Sequence, residues 1–129
     1  MEPMSVDVLK DIHRKVIDKG SIDEQSLRDT VRDEGTLYHI ATTSEKISDP
    51  MKKAAFLLHR IATQHPFMEG NKRTAWVSAM VVLRTNGHYV EETSSNIDRF
   101  VRNVASGNID EKDIIKWLNE RKRSLAEQP

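Results

Sequence analysis

The spacing of apolar positions predicts helices along most of the chain, separated by Gly or Pro. Ser5 can cap a first helix over about 6–18, in which Leu9, Ile12 and Val16 recur at three- and four-residue steps before Gly20 ends it. Ser21 with Glu24 three residues later forms a capping-box pattern, which opens a second helix that reaches about Asp33 and stops at Gly35. Residues 36–48 (TLYHIATTSEKIS) break this rhythm. Their β-branched and aromatic side chains lack helical spacing and predict an irregular loop or a short hairpin.

Asp49-Pro50 reads as a helix start, with the carboxylate as cap and Pro at the first helical position. The run from there to Gln64 is apolar on most sides (Ala54, Ala55, Phe56, Leu57, Leu58, Ile61, Ala62), as suits a heavily buried central helix. His65-Pro66 interrupts it, a loop ends at Gly70-Asn71, and Lys72–Thr85 forms a second buried helix closed by Asn86-Gly87. A short extended piece, His88–Glu91, leads to a helix over about 96–105 with Ile97, Phe100, Val101 and Val104 on one face. Gly107 ends it, and a last helix spans about 110–123 with Ile114, Ile115 and Leu118 inward. The expected fold is therefore all-α: a compact bundle of about six helices, with 36–48 as a short irregular or hairpin flap.

Length and charge narrow what such a bundle can do. With 129 residues the chain fits one domain, and 37% hydrophobic residues suffice for a core without staples. Lys plus Arg balance Asp plus Glu at 20 each, so no global field draws the protein to nucleic acid or to an anionic membrane, and neither is an expected partner. The absence of cysteine excludes a disulfide framework, a thiolate nucleophile and Cys-ligated metal within this sequence. No apolar run approaches the roughly 18 residues of a membrane span, and Met1–Val8 lacks signal-peptide character, so the expected location is the cytoplasm.

The chemistry concentrates in His65-Pro66-Phe67-Met68-Glu69-Gly70-Asn71-Lys72-Arg73, between the two most apolar helices. Gly70-Asn71 tolerates the torsions of a tight anion-binding turn, and the helix that follows points its unpaired N–H groups and positive dipole end at the same place. Lys72 and Arg73 are unfavourable at a helix start unless an anion neutralises them. Glu69 offers a hard oxygen suited to Mg²⁺, which binds through few carboxylates and substrate phosphates. Histidine gains and loses a proton near neutral pH, which suits His65 to accept one from an attacking hydroxyl. The Phe67 ring can anchor the loop in the core. Singly, such a His is an ordinary cap and such a Glu an ordinary surface residue. Together, His-x-Phe-x-[Asp/Glu]-Gly-Asn-x-Arg is expected by chance in roughly one chain of this length in several hundred thousand, which favours a functional origin.

That string resembles the signature of the Fic/Doc (Fido) family, H-x-F-x-[DE]-[GA]-N-[GK]-R, and Lys72–Gly87 (NKRTA…LRTNG with Asn71) resembles its Doc, or death-on-curing, branch. The likeness extends over about 4–120, so one Fido domain is expected over 1–129. The resemblance implies an enzyme that uses ATP and Mg²⁺ to modify a hydroxyl on a target protein. It makes His65 the general base, Glu69 the metal ligand, Gly70, Asn71, Lys72 and Arg73 the phosphate-binding group, and 36–48 the flap that aligns the target segment. Lys72 and Trp76 stand where the adenylyltransferase branch has Gly and a second Arg. Both departures match Doc, a kinase that phosphorylates a threonine of elongation factor Tu. Pro66 and Gly70 look instead like the adenylylating motif, and AMP transfer and a catalytically idle Fido module remain as alternatives. Thr30 to Gly35 fits the family's self-inhibitory pattern [ST]-x-x-x-E-[GN], but the Arg that its Glu would engage is replaced by Trp76, so the match reads as coincidence and Glu34-Gly35 as a helix end. Control is then expected from an antitoxin-like inhibitor in trans. No P-loop or H-E-x-x-H string occurs, Trp76 and Trp117 read as core, and Arg121-Lys122-Arg123 as a solvated helix end.

Overall fold

A computed structural model describes residues 4–17 and 31–127. Among them lie six α-helices: α1 (Val6–Ile17), α2 (Glu34–Glu45), α3 (Pro50–Gln64), α4 (Asn71–Thr85), α5 (Ser94–Ala105) and α6 (Glu111–Arg121). Two short strands, β1 (His88–Val90) and β2 (Lys122–Ser124), and a 3₁₀ turn (Leu125–Glu127) complete the elements of the described residues. The all-α bundle expected from the apolar spacing is what forms.

The starts of the helices follow from short polar side chains. Ser5 Oγ accepts from the Val8 N–H at 3.2 Å. Asp49 accepts from the Lys52 N–H at 2.9 Å with Pro50 at the first helical position. Asp110 accepts from the Asp113 N–H at 2.9 Å, and Thr93 from the Asn96 N–H at 3.2 Å. Each supplies an acceptor to an otherwise orphaned donor of the first turn.

α3 lies at the centre and packs against α2, α4, α5 and α6. Its Ala54, Ala55, Leu57, Leu58, Ile61 and Ala62 are fully buried, and α4 meets it with Ala75, Ala79, Val82 and Leu83. The small alanines on both partners let the two helices approach closely, as ridge-into-groove packing requires. α1 contributes Leu9 and Ile17, and contacts α4 and α2.

Several expectations are corrected. Residues 36–48 are not a loop or hairpin flap: α2 takes in 36–45, capped by Asp33, which accepts from the Thr36 N–H at 3.0 Å, and 46–48 lie beyond its end. Leu37, Ile40, Ala41 and Ser44 are buried at helical spacing, so tertiary packing overrides the β-branched composition. Glu34-Gly35 accordingly opens a helix rather than ending one. The predicted second helix, over about 21–33, falls outside the described residues except for Val31–Asp33, which are not helical: Val31 bridges Phe67 and Asp33 is extended with φ −145°. Gly20, Ser21, Glu24 and Thr30 lie outside the described residues.

The extended piece after α4 does form, as β1, and pairs antiparallel with β2 in the register His88 with Ser124, Tyr89 with Arg123 and Val90 with Lys122. The basic end predicted to be a solvated helix terminus therefore divides. Arg121 closes α6, its guanidinium 4.2 Å from the Trp117 ring and 2.8 Å from Glu92, while Lys122 and Arg123 enter β2. Trp76 and Trp117 meet edge to face at 6.1 Å, and Phe100 stacks on Trp117 at 3.8 Å, so the two tryptophans tie α4, α5 and α6 together.

Candidate active site

The loop from His65 to Gly70 joins α3 to α4. Pro66 disfavours a helical residue before it, and His65 takes a left-handed conformation (φ 50°, ψ 62°) while its N–H still donates to the Ile61 carbonyl at 3.3 Å. It is the single non-glycine residue with positive φ among those described, a geometry that costs roughly 1 kcal/mol or more and needs support from its surroundings. Arg32 supplies it. Its Nε donates to the His65 carbonyl at 2.6 Å and its Nη2 to the Gln64 carbonyl at 2.7 Å, pairing two carbonyls that the end of α3 leaves unbonded. The N–H groups of Arg32 and Asp33 both donate to the Pro66 carbonyl, at 2.8 and 3.2 Å. The Thr36 N–H and hydroxyl, and after them the neighbouring Arg32, hold the Asp33 carboxyl below its ordinary range.

The middle of the loop is fastened inward. Phe67 is 1% exposed and its ring stacks on His13 of α1 at 3.9 Å and 4°. The buried Asn71 side chain clasps the Phe67 backbone from the other side: Oδ1 accepts from the Phe67 N–H at 3.0 Å and Nδ2 donates to the Phe67 carbonyl at 2.8 Å. Gly70 (φ 76°) then turns the chain into α4, and a Cβ there would lie 2.6 Å from Ile17 Cδ1, so both the torsion and the close approach of α1 call for glycine. Gly70 offers no side-chain cap to α4. The first N–H groups of that helix, which have no intrahelical acceptor, point where the loop opens.

Pinned in this way, the loop presents its polar side chains to one cleft of about 420 Å³. His65, Glu69, Gly70, Asn71, Lys72 and Arg73 all line it, so every polar residue picked out from the motif is brought together, while Phe67 faces the core. The Asn71 side chain is occupied by Phe67, which leaves its backbone N–H for a ligand. His65, Glu69, Lys72 and Arg73 are solvent-exposed, a neutral-to-positive rim over the positive end of α4. The cleft is within the size range of small-molecule sites. Asp98 of α5 also lines it, ion-paired with Arg102 at 2.5 Å, and sequence spacing gave no sign of this residue because only the packing of α5 beside α4 delivers it. A neighbouring groove of about 330 Å³ shares Lys72, Arg73 and Asp98 and continues over Trp76, Val77 and Ile97.

Among the described residues no group of three His, Cys, Asp or Glu side chains could hold a metal ion by itself. The donor set of the cleft, carboxylates beside cations and a helix start, fits a divalent cation that arrives with an anionic ligand and shares its oxygens, the habit of Mg²⁺ with phosphates. No helix of the described residues is long and apolar enough to cross a membrane.

Comparison with known proteins agrees with this geometry. A stretch of 35 residues is 51% identical to "Toxin Doc" of Mycolicibacterium smegmatis, covering 27% of this chain and 27% of that protein. The model of the Fic/DOC family matches residues 3–83, which take in α1, α2, α3, the loop and most of α4, the elements that build and hold the cleft. By that match the chain belongs to the Fic/DOC family.

Proposed function

We propose that the protein is a Doc-like toxin that transfers phosphate from ATP to a Ser or Thr hydroxyl of a target protein. The observation that carries this reading is the convergence of His65, Glu69, Lys72 and Arg73 on one cleft at the start of α4. In the reaction, His65 takes the proton of the target hydroxyl as its oxygen attacks the terminal phosphorus; the bond to the bridging oxygen breaks and ADP leaves. Lys72, Arg73 and the first N–H groups of α4 hold the phosphate oxygens and stabilise the charge that spreads over them. Glu69 would hold Mg²⁺, which when bound offsets phosphate charge and orients the transferred group. Positioning supplies much of such catalysis, which is why the loop is secured from α1, α4 and the Val31–Asp33 strap.

Lys72 after Asn71, and Trp76 engaged with Trp117, support phosphate transfer over AMP transfer, since Trp76 cannot pair with a phosphate oxygen as an arginine would. Adenylylation is the second reading, favoured by Gly70 and Pro66, which resemble the adenylylating motif. Because the similar protein is named a toxin, control by an antitoxin-like partner in trans belongs to the same reading, and elongation factor Tu is the first target to try. Cell lysate incubated with the protein and ATP labelled at the α- or the γ-phosphate distinguishes the readings. Label on a protein from γ alone is the expected result. Label from α would establish adenylylation, and ATP binding with no transfer to any protein would leave a binding module.

A further inference from the structure

Among the described residues, His13 is the most deeply buried titratable residue that the chemistry above does not use. It lies on α1, 1% exposed, 56 residues from the loop it touches. Its Nε2 is 2.8 Å from the Glu69 carbonyl oxygen. A carbonyl can only accept, so Nε2 carries the hydrogen and the imidazole is the donor. Its ring lies flat on Phe67, and its Cδ2 is 3.8 Å from the place a Gly70 Cβ would occupy. One side chain therefore contacts Phe67, Glu69 and the approach to Gly70, the residues that set how the loop enters α4.

An apolar ring would serve the stacking equally well, and burying a polar ring is unfavourable unless it is hydrogen-bonded. What the imidazole adds toward the loop, over phenylalanine, is a hydrogen bond directed at the backbone of Glu69. That residue belongs to no helix or strand, and its side chain lines the cleft. Holding its carbonyl inward fixes the plane of the adjoining peptide, and with it the direction in which Cβ and the carboxylate leave the chain.

We infer that His13 is a positioning residue, whose bond to the Glu69 backbone aims the Glu69 carboxylate at the cation of the bound nucleotide. The inference rests on the proposed role of Glu69. Two substitutions separate its parts. His13→Gln places an amide donor close to the position of Nε2 but removes the stacked ring, whereas His13→Phe keeps the ring and removes the donor.

The test measures backbone amide exchange over 65–70 without ligand, and calorimetric affinity for ATP with Mg²⁺ and with EDTA, on proteins whose thermal melts show that they are folded. For His13→Phe, loop exchange is expected to quicken at least about tenfold and Mg²⁺-dependent ATP affinity to fall by about tenfold or more, with affinity in EDTA unchanged. His13→Gln is expected to restore both to within about threefold of the parent. Parental values in His13→Phe, equal impairment of the two variants, or faster exchange without loss of Mg²⁺-dependent affinity would each overturn the inference. A parent protein that binds no ATP would instead refute the nucleotide reading of the cleft, and loop exchange would still show whether the donor orders the Glu69 backbone.

Discussion

Asn71 offers the sharpest test of how the loop is held. Its side chain is 8% exposed and makes both hydrogen bonds that the Phe67 peptide groups receive from it, at 3.0 and 2.8 Å. Asn71→Ala removes the two bonds and leaves a buried N–H and a buried C=O without those partners. Each such group costs about 1–3 kcal/mol, and partial access of water to an emptied site brings the sum to about 2–4 kcal/mol. For a 129-residue chain that corresponds to a fall in melting temperature of about 7–15 °C. Urea unfolding of parent and variant measures it directly. Asn71→Asp adds a signature that packing alone cannot mimic: it keeps the acceptor for the Phe67 N–H but turns an oxygen toward the Phe67 carbonyl. That carboxyl is held protonated in the fold, so its folded pKa is raised; its stability is fully present below the unfolded value near about 4 and is lost as pH rises through the folded value. The variant should therefore approach the parent in acid and resemble Asn71→Ala at neutral pH. A loss below about 0.5 kcal/mol for Asn71→Ala, or a pH-independent deficit in Asn71→Asp, would refute the clasp.

Three further outcomes follow from other contacts. Hydrogen bonds from the Asn96 side chain first, then Arg121 and the Thr93 N–H, hold the Glu92 carboxyl down from 4.5 to about 2. The stability it gives is present above about 4.5 and is lost as pH falls through about 2, so the gap between parent and Glu92→Gln in urea unfolding should stay constant at neutral pH and close across that window; an NMR titration midpoint above 4 for Glu92 would contradict this. Arg32→Ala should cost about 1–2 kcal/mol by freeing the Gln64 and His65 carbonyls, and Arg32→Lys should recover little because an ammonium cannot reproduce the planar fork, both read from unfolding curves. Glu69→Gln should weaken Mg²⁺-dependent ATP affinity by about tenfold or more, whereas Asp98→Asn, whose carboxylate is exposed and already paired with Arg102, should change it by less than about threefold in the same calorimetric titration.

The helices with one apolar stripe and a capping residue could be read from the chain, because both signals are local. Asp49-Pro50 and the alanine-rich run behind it marked α3 almost to the residue. α2 escaped for a local reason too. Gly35 suggested a stop, yet glycine is tolerated in a first turn, and Tyr38, Thr42 and Thr43 masked the spacing of Leu37, Ile40 and Ala41. With that segment helical, the flap expected there has no counterpart in α2. The pairing of His88–Val90 with Lys122–Ser124 depends on α5 and α6 folding back between them, which no local pattern reports. The site divides in the same way. Its motif residues are contiguous and so were visible, whereas His13, Arg32 and Asp98 reach the loop or the cleft only through packing.

In the proposed reaction the loop at the start of α4 carries out phosphoryl transfer with His65 as base. Its most direct test follows γ-labelled ATP into lysate protein with the parent and with folded His65→Ala, whose side chain is exposed and whose loss leaves the core intact. The parent should label a protein on Ser or Thr, and the variant should bind ATP yet transfer at less than about one-hundredth of the parental rate. Equal labelling by His65→Ala would contradict the account.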